Sequence, residues 1–312
     1  MRYYTALKTA LAILRERGIK ALVEKIYRKY ILHTKNYNFF STLKPEKYKK
    51  ELAIWFKAHT GHRLNWEYPT GFNQKIQYLK LYDSTPLKTK LVDKYQVKSW
   101  VAEKIGEQYV TPLLGVFNSF DEIDFSKLPQ KFVLKGTQHG VIIVDQATMS
   151  VDDIRQKCHY FLTTNFAYLY GLELQYRDVQ PRLIAEEFLP VNEIYDYKVW
   201  CFHGKPEFIG IQYIDSNNNI FINFYDIDWN LQHFSSYKNI NIKIKKPLNI
   251  KQILDNARIL SKDFIFVRVD FYILKDESIR FGEMTFSPGS GVIHWHPPYA
   301  DELLGKKLTL PL

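Results

Sequence analysis

The sequence predicts an α+β protein in which two mostly antiparallel sheets follow a helical N-terminal segment. Three observations carry that expectation. Apolar residues before about residue 106 recur at helical spacing. After Pro112 the pattern changes to short runs rich in β-branched and aromatic residues. The turns between those runs fit antiparallel hairpins. Composition agrees: the 312 residues are 46% hydrophobic and 16% aromatic, enough for one large domain or two to three lobes with real cores.

Residues 1–60 read as helices. Leu7, Leu11 and Leu14, then Leu22 and Ile26, recur at helical spacing, with Gly18 as a break. The segment is basic, with Arg2, Lys8, Arg15, Arg17, Lys20, Lys25, Arg28, Lys29 and Lys35 against Glu16 and Glu24. The expectation is an amphipathic helix packed on the body with a solvated basic face; the alternative is attachment to an anionic membrane surface. Residues 73–106 are helical again, with a break at "STPLKTK". Short strands follow, "VTPLLGVF", "KFVLK", "GVIIV" and "RLIAEEFL", with one helix from about Asp152 to Thr163 capped by "SVDD". From Tyr197 the alternation is stricter. "YKVWCF–HGKP–EFIGIQYI" reads as a hairpin, "NIFINFYDI" as a strand, "DSNNNI" (Asp215–Ile220) as a plain loop, and Ile253–Lys262 as a helix. The two sheets are expected to meet near Glu186–Leu189.

The last hairpin, "VRVDFYILKDESIRFGEMTFSPGSG", is Val267–Gly291. A turn over Lys275–Ser278 places Leu274 opposite Ile279, Asp270 opposite Glu283, and Arg268 opposite Thr285. Alternation then gives Val267, Val269, Phe271 and Ile273, with Met284 and Phe286, to the core. Two carboxylates facing each other at roughly 5 Å repel. A bound cation removes the penalty, and Mg²⁺ takes one or two carboxylates beside phosphate oxygens and water. A solvated strand face on which Arg268 offsets the acids is the other reading.

Lys and Arg number 43 against 33 Asp and Glu, a formal net charge of +10. Such a surplus suits an acidic partner: a nucleotide, a carboxylated or phosphorylated substrate, nucleic acid, or an anionic membrane. Nucleic acid is disfavoured because most aromatics sit at core periodicity rather than beside Arg/Lys clusters. Cys158 and Cys201 form neither a disulfide framework nor a metal-type spacing, which fits a reducing compartment. "ALKTALAIL" is interrupted by Lys8 and followed by "RERGIK", so no secretory segment is expected, and no apolar run is long enough to span a membrane. The expected location is the cytoplasm. Neither a Walker A sequence nor G-x-G-x-x-G is present.

In "KFVLKGTQHG", Lys135 ends an apolar strand and enters a loop bounded by Gly136 and Gly140. A lysine there can reach a phosphate while the glycines let backbone amides close over its oxygens. In "RLIAEEFL", Glu186 and Glu187 interrupt an apolar strand, as they also would on a solvent-facing edge. "YDIDW" carries Asp226-x-Asp228, similar to the pair by which many glycosyltransferases hold a metal and a sugar nucleotide. "HWHPP" puts His294 and His296 on one face of an extended segment; zinc would need a third ligand, so packing near the site rim is the expectation.

Taken in order, "DKYQVK", "VLKGTQHG", "IAEEFL", "DYKVW", "VRVDF" and "GEMTFSPGSG" resemble the ATP-grasp superfamily. The closer match is the TupA-like branch of bacterial cell-surface polysaccharide pathways, over roughly Leu64 to the C-terminus. The resemblance implies ATP gripped between the two sheets and divides the chain into a basic helical segment (1–60), a pre-grasp helical region (61–110), a small lid lobe (111–187) and a large lobe with the metal site (188–312). It implies that Lys94 and Lys135 hold the ATP phosphates, with Gly136, His139 and Gly140 in a mobile phosphate loop. Glu186, Glu187 and Leu189 fall at the hinge that meets adenine. Asp196 matches the ribose acid, with Lys198 close by. Asp270 and Glu283 match the Mg²⁺ carboxylates, Arg268 the neighbouring phosphate cation, and Thr285 stands where the family commonly has Asn. Arg268 and Lys135 are the expected catalytic cations, and Ser287–Gly291 is expected to shape the acceptor pocket.

The implied reaction is ATP-dependent carboxylate–amine ligation through an acylphosphate. Its substrates would be an amino acid or other amine and a uronic acid or acidic peptide of a capsule- or O-antigen-type precursor, with possible peripheral contact at the inner membrane surface. The alternatives are a metal-dependent glycosyltransferase using Asp226 and Asp228, and a non-catalytic nucleotide-binding partner of a polysaccharide assembly complex.

Overall fold

A computed structural model describes residues 2–189, 195–214, 220–236 and 244–311. Most of the expected loop Asp215–Ile220 falls outside the described residues.

The first helix, α1 (Arg2–Thr34), is broken at Gly18, whose φ of 78° and ψ of 174° leave the helical region. Asn36 caps the short α2 (Tyr37–Ser41), and α3 (Tyr48–Thr60) ends at a left-handed Gly61. Phe40, Leu52, Trp55 and Phe56 make a small core here with Leu172. The packing of α1 departs from the sequence expectation. Its C-terminal half docks on α3 through Ile31, through the Lys35–Glu51 pair, and through Arg28, which donates to Ala58 O (2.8 Å) and His59 O (3.0 Å). The last carbonyls of α3 are orphan acceptors at the negative end of a helix, so they draw a cation inward. Leu14 and Ile26, expected on the buried stripe, lie in solvent instead.

Three helices follow: α4 (Phe72–Tyr82), α5 (Pro86–Val92) and α6 (Gln96–Ile105). The expected break at "STPLKTK" is shorter than the pattern suggested. Thr85 Oγ1 accepts from Lys88 N at 3.3 Å and Pro86 occupies the first turn, where no N–H is needed, so residues 87–90 are helical.

The first sheet contains β1 (Leu113–Phe117), β2 (Lys131–Gly136), β3 (Val141–Asp145) and β4 (Leu183–Glu187) in the order β1-β4-β2-β3, every pair antiparallel. Ser150 caps α7 (Val151–Thr163) by accepting from Asp153 N, close to the expected start. Ile154, Cys158 and Phe161 of α7 pack on Phe132, Leu134, Ile142 and Val144, burying one face of the sheet. The opposite face presents Val133, Lys135, Val141 and Ile143.

The second sheet has the order β7-β6-β5-β8-β9 and is again antiparallel: β5 (Tyr195–Phe202), β6 (Lys205–Ile214), β7 (Ile220–Asp226), β8 (Phe266–Ile273) and β9 (Ile279–Thr285). His203 and Gly204, with φ of 49° and 73°, turn the β5–β6 hairpin in two residues. Helix α8 (Ile250–Ser261) starts three residues before the sequence suggested. It lays Ile253, Ala257 and Leu260 on Val199, Ile209, Ile211, Val267 and Val269. The core face expected from the last hairpin is buried here in full: Val267, Val269, Phe271, Ile273, Met284 and Phe286.

The other face of this sheet is divided. At one end Trp200, Phe202, Phe208, Phe224 and Phe266 are covered by Phe72 and Ile76 of α4, by Trp295, and by Leu304 of α9 (Ala300–Lys307). At the other end the same strands present Asp196, Lys198, Arg268 and Asp270. The aromatic cover stops where the charges begin, and that boundary creates the site.

Among the described residues no helix is long and apolar enough to cross a membrane. Cys158 and Cys201 are both buried and free, and burial pushes each thiol up to about 12.

Candidate nucleotide and metal site

The register of β8 and β9 decides how the two acids meet. Arg268 pairs with Thr285 and Val269 with Met284, as expected, but near the turn Ile273 rather than Leu274 faces Ile279. That one-residue slip is absorbed by a bulge between Val269 and Phe271, where Gly282 and Glu283 together oppose Asp270. Glu283 is therefore not a simple ladder partner of Asp270. The bulge still keeps both carboxylates within reach of one guanidinium.

Arg268 Nε donates to Asp270 Oδ1 (2.7 Å), and its Nη2 donates to Asp270 Oδ2 (2.6 Å) and to Glu283 Oε1 (2.9 Å). Lys198 Nζ reaches Asp270 Oδ2 at 3.1 Å and also pairs with Asp196. Thr285 Oγ1 donates to Glu283 Oε1 at 2.8 Å. The repulsion between the two acids is thus offset inside the protein by Arg268 and Lys198. Partial desolvation in the cleft would raise the Glu283 carboxyl, whose side chain keeps 43% of its surface exposed, but Arg268, Lys94 and Lys198 hold it down at about 2. Burial, and then Asp270, push Asp196 up to about 6 in spite of Lys198. Burial opposes the charge of Arg268, yet Asp270 and Glu283 raise it further above its ordinary value.

A second charged group descends from the first sheet. Glu186 on β4 receives Lys135 Nζ from β2 at 2.5 Å and Lys98 Nζ from α6 at 2.7 Å. Lys98 also donates to Thr111 O at 2.8 Å. Burial would raise Glu186, but the two lysines outweigh it and leave the carboxyl below its usual value. Lys94 is held by its backbone N–H to Thr137 O (3.0 Å) and its Nζ to Gln138 O (3.0 Å). Burial pushes the Lys94 ammonium down, against the pull of Glu283 and Glu186. Lys94 and Lys98 lie on the α5–α6 segment, whose Val92, Val97 and Val101 pack in the core of the second sheet. They reach Thr137, Gln138 and Glu186 on the side of the first, so charges of both sheets meet in one cleft.

Sequence reasoning missed Lys98, although it closes the "DKYQVK" motif four residues after Lys94. It also missed Tyr272, which lies beside Asp196 in the β5–β8 ladder.

The Gly136–Gly140 loop is tied down along its length. Thr137 donates its amide to Arg182 O (2.9 Å) and its hydroxyl to Gln180 O (2.8 Å), and the Gln138 side chain donates to Val179 O (2.8 Å). His139 packs among Tyr160, Phe161 and Phe166, with Nε2 at 2.9 Å from Thr164 O. Its ring has a packing role. Gly140 adopts φ of 86° directly against the Phe161 ring, where any Cβ would collide with the ring. The amides of Gln138, His139 and Gly140 donate to no acceptor among the described residues. Glu187 is exposed at the end of β4, its amide donating to Pro112 O at 3.3 Å, and Leu189 follows two residues later.

Other sequence candidates stay outside the cleft. Asp226 closes the turn after β7: Oδ1 accepts from the amides of Asp228 (3.0 Å) and Asn230 (2.8 Å), and Oδ2 from the Asn230 side chain (3.0 Å). Both oxygens are used, which explains the D-x-D spacing as turn chemistry. His296 pairs through its backbone with Ser235, and His294 is exposed. Among the described residues no group of three or more His, Cys, Asp or Glu side chains is arranged to hold a metal. Asp270 and Glu283 instead offer a two-carboxylate set.

Two antiparallel sheets clasping a cleft lined by cations from both define the ATP-grasp fold class. The family model described as TupA-like ATPgrasp matches residues 74–309, and the chain belongs to that family. No curated protein matches the sequence. Among solved structures, the chain is similar to the L-amino acid ligase from Bacillus licheniformis at 13% identity and TM-score 0.43, over 71% of this chain and 50% of that one. It is similar to the D-alanine–D-alanine ligase from Bacillus anthracis complexed with ATP at 15% identity and TM-score 0.40, over 69% and 64%. It is also similar to the ATP-grasp ligase PsnB complexed with minimal precursor, at 11% identity and TM-score 0.40, over 65% and 55%. The chain spans between half and two thirds of the length of these proteins.

Proposed function

We propose that the protein is an ATP-dependent carboxylate–amine ligase. One observation carries the reading: Lys94 and Lys98 from the α5–α6 segment, Lys135 from the lid, and Lys198 and Arg268 from the second sheet converge on one cleft that also holds Asp270 and Glu283. Five cations around a few acids suit a polyphosphate. In this reading the lid lobe is 111–187, the large lobe 188–312, and the helical regions 1–60 and 61–110 precede them.

The residues fit ATP and Mg²⁺ on three counts. The free amides of Gln138, His139 and Gly140 beside Lys94 and Lys135 suit phosphate oxygens. Asp196 Oδ1 is a buried acceptor without a partner among the described residues, which suits a ribose hydroxyl. Val133, Val141 and Ile143 offer an apolar face for the purine, with the β4 end from Glu186 to Leu189 beside it. Asp270 and Glu283 would hold Mg²⁺, with Thr285 beside them, and the ion would neutralise charge on the phosphates. Arg268 would turn from its carboxylates toward the γ-phosphoryl group, and Lys135 from Glu186, while Lys98 retains Glu186. These cations stabilise charge on the transferring group.

A substrate carboxylate oxygen would attack the γ-phosphorus, releasing ADP and forming an acylphosphate. The amine of the second substrate would attack its carbonyl carbon, forming the amide and expelling phosphate. The family and the net charge of +10 support an acidic saccharide or peptide of a surface polysaccharide as the carboxylate partner. The two free, buried thiols support a reducing, cytoplasmic site of action.

Nucleotide preference tests the reading. ATP with Mg²⁺ is expected to raise the melting temperature, since a ligand at a hundredfold excess over Kd contributes about 2.7 kcal/mol. Sugar nucleotides should have a much smaller effect. Stabilisation by a sugar nucleotide and none by ATP would sink the ligase reading.

A further inference from the structure

We infer that the solvent face of α1 is a docking surface for an anionic phospholipid bilayer, a role beyond the ligase reading and independent of it. Ile19, Val23, Ile26, Tyr27 and Tyr30 are 70%, 58%, 60%, 48% and 63% exposed. Their spacing of four, three, one and three residues places all five on one stripe of the helix. The stripe is not a core face awaiting rotation. Arg28, Ile31 and Lys35 fix the opposite face to α3 through the Ala58 and His59 carbonyls and through Glu51. Turning the apolar residues inward would break those contacts. A monomer seldom leaves so continuous an apolar surface in water without a use for it.

The charges around the stripe select its occupant. At helical spacing Lys20 borders one edge of the stripe and Lys29 the other, with Lys25 beyond Lys29, and Arg15 lies upstream of the Gly18 break; all four are exposed. Glu24 is the only acid between Gly18 and Lys35; it follows Lys20 by one turn on the same flank, so the flanks of the stripe carry three lysines against one acid. Two copies of this helix, stripe to stripe, would set lysine rows against each other. A bilayer with anionic headgroups instead accepts the apolar stripe into its interface and the lysines at its surface. Tyr27 and Tyr30 suit that boundary, with an apolar ring and a polar tip.

The test uses the full chain and vesicles of phosphatidylcholine with and without a minority of phosphatidylglycerol, read by flotation. Binding is expected to the anionic vesicles at low salt, and to be at least about tenfold weaker on neutral vesicles or at high salt. Each of Lys20→Gln, Lys25→Gln and Lys29→Gln should lower partitioning about fivefold. The double variant Ile19→Ser/Ile26→Ser should lose about tenfold or more while melting like the parent, because neither side chain packs on the body. Absence of anionic-vesicle binding at low salt would overturn the inference, as would full binding by the Ile19/Ile26 variant. A dimer in sedimentation that requires the stripe, with no vesicle binding, would reassign the surface to a second copy of the chain.

Discussion

Replacing Asp270 by asparagine should abolish ATP turnover and destabilise the protein by about 2 to 4 kcal/mol. Asp270 is 2% exposed and receives two bonds from Arg268 and one from Lys198. Sequence pattern alone suggests the opposite for stability, because removing one of two facing acids relieves repulsion. The structure reverses that sign: the acids are already paired, so the loss strands two cations. Glu283→Gln separates the two readouts. The Glu283 side chain is 43% exposed, and its bond from Arg268 is partly screened by water. Its removal should cost stability about 1 kcal/mol or less while still abolishing turnover. Asp226→Asn is the control and should keep turnover. Thermal melts beside phosphate release check all three. A turnover-competent Asp270→Asn enzyme would remove the acid from the proposed chemistry.

The second large effect lies behind the cleft. Lys80 on α4 is 1% exposed and donates to Gln77 Oε1 (3.1 Å), Tyr170 O (3.3 Å) and Ser290 O (3.2 Å). Glu173, also buried, accepts from Ser287 Oγ at 2.8 Å and from Ser290 Oγ. Together they pin the "SPGSG" loop that follows the Glu283 strand. Lys80→Met should cost about 2 to 4 kcal/mol, since it strips the Gln77, Tyr170 and Ser290 oxygens of a buried donor and removes the positive charge that Glu173 feels nearby. Adding Glu173→Gln should recover part of that loss, the signature of coupled sites. Burial pushes Lys80 down to about 7, against the pull of Glu173. Between about 7 and the ordinary lysine value the unfolded chain binds more protons at this group than the folded one. Its contribution to stability therefore rises with pH across that window, by at most about 1.4 kcal/mol per unit. Denaturant unfolding at several pH values should show a steeper rise in the parent than in Lys80→Met. A parallel dependence in both proteins would mean that Lys80 keeps its proton throughout.

The succession of strands along the chain and the polar–apolar split of β8 were legible in the sequence because alternation at period two is a local signal; the order of strands within each sheet was not. Arg268, Asp270, Glu283 and Thr285 could be grouped on that basis. The bulge at Gly282–Glu283 was not legible, since one extra residue on one strand leaves the alternation on either side intact. The α1 expectation failed for a related reason. Helical periodicity shows that apolar residues share a face, but not whether that face meets the body, and here the α3 carbonyls take Arg28 instead. Glu173 and Lys80 gave no signal at all. They lie 93 residues apart in sequence, and each reads alone as an ordinary surface charge. Lys98 was visible within "DKYQVK", but its role depends on Glu186, which arrives from β4.

The most direct test of the central claim is the stoichiometry of ADP, phosphate and amide when amino acids are crossed with uronic-acid acceptors in the presence of ATP and Mg²⁺. The ligase reading predicts one ADP and one phosphate for every amide formed. It also predicts no product from Lys135→Ala, whose cleft lacks the lysine paired with Glu186. Amide formed with AMP and pyrophosphate, or a glycoside formed from a sugar nucleotide while ATP stays intact, would contradict it.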